Sequence, residues 1–129
     1  MYDTRLTGTW RSDKRRTTRE ILARRDIPAG KSRAKLIEIF GKLTLRYTRT
    51  RCHSTFDGST EARPLRIVAK DADSVVVIGT APLSDDDLIY HVHFEGPFTR
   101  SGQPRYYWVS VGGFREYFRR VEKRRPTTR

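Results

Sequence analysis

A chain of 129 residues is the size of one domain, and its 36% of hydrophobic residues fall in short clustered runs, which excludes disorder throughout. The formal charge of +12 is unevenly spread: residues 1–70 carry 18 Lys/Arg against 7 Asp/Glu, 71–118 carry 3 against 7, and 119–129 carry 6 against 1, an asymmetry that favours anionic partners. With no apolar leader after Met1, no run long enough to span a bilayer and a single cysteine, Cys52, the chain is expected to be cytoplasmic and free of internal disulfides.

Leu6 to Arg11 reads as a short strand with a Gly ahead of Trp10. Thr17 and Glu20 have the spacing of a capping box before Ile21-Leu22, which predicts a helix over roughly 17–26, stopped by Ile27-Pro28. Ser32 is the expected cap of a second helix, with Leu36, Ile39, Phe40 and Leu43 at helical spacing and Gly41 to end it. Ile21, Leu22, Leu36, Ile37 and Phe40 are expected on the buried sides of this pair, with Lys/Arg on the other.

From residue 42 the period changes to two. Leu43, Leu45 and Tyr47 alternate with polar residues, Arg51 to Phe56 is a short strand, and Asp57-Gly58 is a tight hairpin turn. Leu65–Lys70, the β-branched run Val75–Ile78 and the alternating segment Leu88–Glu95 follow. Ala81–Asp87, with Pro82 and three consecutive Asp, reads as a loop. Tyr106–Val111 and Phe114–Val121 flank Gly112-Gly113, a second hairpin signal. The expected fold is therefore mainly β: an antiparallel up-and-down barrel of about eight strands, near ~5–8 residues each, with two short helices inserted after the first.

Gly8-Thr9-Trp10 in the first strand, the helical pair at roughly 17–40 and the basic last strand Glu116–Val121 together resemble the calycins, the lipocalin-like and fatty-acid-binding-protein-like barrels. The resemblance implies one barrel domain over 1–121, with the helical segment as its cap and 122–129 a basic, frayed tail. It also implies that a basic residue of the last strand packs over Trp10. Arg119 and Arg120 point to opposite faces of a strand, so only one of them can do so. An eight-stranded barrel either holds one small ligand or is filled by its own side chains, and Tyr47, Phe94, Tyr107, Trp108 and Phe118 are bulky enough to narrow it.

His91-Val-His93-Phe-Glu95 is the most suggestive cluster, since alternate residues of a strand share a face about 7 Å apart. His and carboxylate suit Zn, and His53 could complete a site from a neighbouring strand. A metal at His91 and His93 is nevertheless the lesser reading beside a hydrogen-bonding role in a cavity. Tyr47, His53, His91, His93 and Tyr107 are the candidate ligand contacts. Catalytic motifs are missing: there is no nucleophile elbow, phosphate-binding Gly loop or Cys-x-x-Cys. Asp85-Asp86-Asp87 reads as a solvated turn and Cys52 as an inert thiol, with His53 pointing the opposite way. The expected function is a non-enzymatic barrel, without cofactor, for a small apolar ligand carrying an anionic group. Residues 14–35, with nine Lys/Arg and two acids, support an alternative, a basic module that binds nucleic acid or an acidic protein.

Overall fold

A computed structural model describes residues 2–24, 30–80, 87–111 and 114–122. Ten elements follow in chain order: β1 (Gly8–Ser12), α1 (Lys14–Leu22), α2 (Lys31–Ile39), β2 (Leu43–Tyr47), β3 (Arg51–Phe56), β4 (Ser59–Lys70), β5 (Ser74–Thr80), β6 (Asp87–Phe98), β7 (Pro104–Val111) and β8 (Phe114–Arg120). Each strand pairs antiparallel with the next, and β8 returns to β1 with Trp10 opposite Arg120 and Ser12 opposite Phe118. The eight strands form a closed barrel, as the spacing of apolar runs and turns predicts.

Several boundaries differ from the sequence-based expectation. Asp13, and not Thr17, caps α1: its carboxylate accepts the Arg16 N–H at 3.0 Å, and the helix begins three residues early. The cause is where β1 leaves the sheet. Asp13 N–H still donates to the Tyr117 carbonyl at 2.8 Å, and one turn later the buried Thr17 hydroxyl accepts the Tyr117 N–H at 2.9 Å. Thus α1 takes over the edge of β8 that β1 has vacated, and Thr17 serves β8 instead of its own helix.

The second helix starts after Gly30 without a side-chain cap, and Gly41 has φ +89° just beyond its end. Asp57 and Gly58 have φ of 51° and 83°, the left-handed pair that a tight β3–β4 hairpin requires. β4 and β6 run to twelve residues each, longer than expected. The first half of β4 has little apolar alternation to announce it, and its pairing with β3 holds it extended. The Ile27-Pro28 stop, the Ala81–Asp86 loop, the Gly112-Gly113 turn and residues 123–129 lie outside the described residues, as does the side chain of Leu36.

Alternation fills the inner face. Leu45 and Tyr47, Leu65 and Ile67, Val75 and Val77, and Val92 and Phe94 point inward with Tyr107 and Phe118 around Trp10. A smaller cluster of Ile21, Phe40 and Phe114, with Ile37 against it, joins the helices to the barrel. Leu22 is 55% exposed, contrary to expectation, because one helical step turns it away from the face that buries Ile21.

One end is sealed by Trp10, which is wholly buried and donates through Nε1 to the Leu6 carbonyl at 2.8 Å. The Arg120 guanidinium lies 4.3 Å from the indole ring centroid, while Arg119 on the other face is exposed. Arg120 also donates to the carbonyls of Pro104, Thr7 and Arg5, so one side chain ties β8 to β7 and to the segment before β1. Gly8 has φ +126°, and a Cβ there would lie 2.8 Å from Arg120 Nη1. The Gly of Gly8-Thr9-Trp10 thus makes room for the cation that covers the Trp.

Candidate functional site

Away from the Trp10 end the barrel is not filled. A cavity of about 530 Å³ lies inside the strands, within the usual range for small-molecule sites. Leu43, Leu45, Leu65, Val109 and Phe118 give it apolar walls. No residue of α1 or α2 lines it among those described, and neither does Trp10.

Its polar groups converge from four strands. The Tyr47 and Tyr107 hydroxyls lie 3.0 Å apart, both side chains being buried. Tyr90 and the Cys52 thiol line the same cavity. Burial pushes the Tyr47 and Tyr107 phenols well above their ordinary values, and pushes both Tyr90 and Cys52 up to about 12. At neutral pH these four groups are uncharged, and they offer hydrogen bonds inside an apolar wall. Cys52 is accordingly no thiolate nucleophile.

Two charged residues complete the lining. Glu116 on β8 has its carboxyl pushed up to about 7 by burial, an effect that a hydrogen bond with Ser12 partly offsets. Arg63 on β4 carries positive charge to the cavity and is bridged to Glu61 at 3.2 Å. Neither was singled out from the sequence. The signal was present in the alternation: Glu116 lies between Phe114 and Phe118, and Arg63 precedes Leu65 and Ile67, at every second position.

Of the residues singled out, Tyr47 and Tyr107 line the cavity from its inner face, and His91 and His93 border it from the edge of β6. His53 stands opposite Arg46 and Ala62 on the outward parity of β3, and its neighbours Cys52 and Ser54 line the interior. His91 and His93 leave the outer face of β6, because Val92 and Phe94 occupy the inner one. Their rings are 4.0 Å apart, His93 stacks on Trp108 at 3.9 Å and 9°, and Arg115 lies over Trp108 at 4.0 Å. Desolvation, with the nearby charges of His91 and Arg115, holds His93 below the ordinary imidazole range. The Ser74 hydroxyl gives its proton to Asp71 at 2.9 Å, so His91 Nε2, 2.6 Å from that oxygen, must be the donor of their bond. Among the described residues no three His, Cys, Asp or Glu side chains are grouped to hold a metal ion.

The basic surface lies elsewhere. Arg11, Lys14, Arg15, Arg19, Lys42 and Arg119 border an outer groove between α1 and the barrel. Tyr106, an aromatic that also borders it, has its face covered by the Arg16 guanidinium at 3.7 Å. No helix among the described residues is long and apolar enough to cross a membrane. No protein-family model matches the chain, and no curated protein or solved structure matches it either.

Proposed function

We propose that this chain is a non-enzymatic binding protein of calycin type that holds one small ligand, mostly apolar with a single polar or anionic group, inside its barrel. The observation that carries the reading is the cavity of about 530 Å³, apolar on most of its wall and provided with a few convergent polar groups. An apolar body would replace water against Leu43, Leu65, Val109 and Phe118. Burial of that kind contributes about 25 cal/mol per Å² of apolar surface. The Tyr47–Tyr107 hydroxyl pair and Arg63 supply the donors that fix the orientation of a carboxylate or similar group.

The calycin part of the reading is supported by the order of elements and by Arg120 laid against Trp10. A binding role over a catalytic one is supported by the thiol and phenols of the cavity, which burial holds protonated.

Titration with anilinonaphthalene sulfonate, an apolar anionic fluorophore, tests this reading. The wild-type chain should bind one equivalent with a blue-shifted emission. Ser54→Trp, which places an indole in the cavity wall, should weaken binding by at least about tenfold, or ~1.4 kcal/mol, with the fold confirmed by circular dichroism. Equal binding by the two proteins would place the fluorophore outside the barrel and remove the reading.

A further inference from the structure

We infer that the ligand enters and leaves the cavity sideways, through the seam between β6 and β7, and that this seam is an outer docking site for the apolar part of the ligand. The inference rests on the ligand-binding reading above and adds its route.

Strand pairing locates the seam. β6 and β7 are in register from the Phe98–Pro104 end up to His93 opposite Trp108, and there the ladder stops. β6 nevertheless runs on to Asp87, paired throughout with β5, and β7 runs on to Val111, paired with β8. The facing edges of residues 87–92 and 109–111 therefore form no registered pairs with each other, whereas each is fixed on its far side. Over this length the wall is held on the far side of each strand only, whereas the edge of β8 that β1 leaves is covered by α1.

The cavity lining gives independent support. A strand within an intact wall shows alternate side chains to the interior. On β6 the consecutive residues Leu88, Ile89, Tyr90 and His91 all border the cavity, joined across the seam by Val109 and Ser110. Inward and outward residues can share one cavity only where it reaches around the strand edge. At this point it meets the surface beside Leu88, 41% exposed, and Ile89, 68% exposed. Two adjacent apolar side chains in water at the rim of an apolar cavity suit the first contact of an apolar molecule.

Trp10 with Arg120 closes one end, and at the other the buried cluster of Ile21, Phe40 and Phe114 packs the helices on the barrel without lining the cavity. Sideways passage also explains why the basic helical segment borders none of the cavity.

The test compares rates with affinities. In a Cys52→Ser background, His91→Cys and Ser110→Cys stand opposite each other if the register of His93 and Trp108 is continued. The seam is closed by oxidation, or by a short bis-methanethiosulfonate cross-linker if the thiols are too far apart, and reopened with reductant. Stopped-flow mixing with anilinonaphthalene sulfonate should show both association and dissociation slowed at least about tenfold when closed, and recovery on reduction. Such a joint change marks an obstacle on the path, since the ratio of the two rates sets affinity. Unchanged rates in the tethered protein would overturn the inference, as would faster association in Phe40→Ala, which loosens the helical end. Absence of fluorophore binding by the untethered wild-type chain would instead overturn the cavity reading itself.

Discussion

Trp10→Ala should lower the stability of the barrel by about 4 kcal/mol, the usual range for emptying a fully buried large aromatic site. Trp10 has no exposed surface, packs edge-on against Tyr107 at 4.7 Å between centroids, and spends its only polar hydrogen on the Leu6 carbonyl. Its removal also deprives the Arg120 guanidinium of a cation–π contact worth roughly 0.5–2 kcal/mol. Arg120→Ala should cost about 2–3 kcal/mol in its own right, because three carbonyls lose a charged donor at once. Arg119→Ala, at the neighbouring but outward position, should stay within about 0.5 kcal/mol. Urea unfolding of the three variants checks the order. A loss at Arg119 equal to that at Arg120 would mean that the closure of this end has been misread.

Glu116→Gln should act only at the higher pH, raising stability at pH 8 and leaving it nearly unchanged near pH 5. The folded state takes up a proton at about 7, against 4.5 ordinarily, because burial penalises the carboxylate. Between those values the folded chain binds more protons than the unfolded one, so stability falls as pH rises through the window. At 1.36 kcal/mol per decade the full loss is roughly 3 kcal/mol, complete above the folded value. Glutamine keeps the shape and a hydrogen bond to Ser12 without the charge. Thermal melts of both proteins between pH 5 and 8 should therefore diverge as pH rises. Parallel curves would show that the carboxyl is already solvated in the fold.

The fold was legible because its signals are local and repeated. Period-two alternation at Leu43–Leu45–Tyr47, the run at Val75–Ile78 and the turn at Asp57-Gly58 each specify an element without reference to the rest. The first helix was misplaced because its cap answers to a long-range demand. Asp13 is where β1 leaves β8, and the Tyr117 backbone claims the Thr17 hydroxyl that local spacing assigned to a capping box. The choice between Arg119 and Arg120 hung on the parity of β8, which the Trp10–Arg120 register sets.

The site was half legible for the same reason. Tyr47 and Tyr107 attract notice as aromatics and do face the cavity. The histidines attracted notice for their chemistry; parity gives the inner face of β6 to Val92 and Phe94, and His91 and His93 border the cavity from the strand's edge. Applied evenly, the same rule would have picked Glu116 and Arg63, polar residues in step with inward apolar neighbours. The seam between β6 and β7 has no sequence signature at all, since both strands continue past the point where their pairing ends.

Whether the interior accepts a guest is measured most directly by native mass spectrometry of the wild-type chain after exposure to a total cellular lipid and metabolite extract. The chain should emerge carrying a single small molecule, one per protein, which is lost on acid denaturation and excluded by Ser54→Trp. A spectrum of bare protein for the wild type, under conditions that preserve the fold and with a known binder retained as control, would contradict the account.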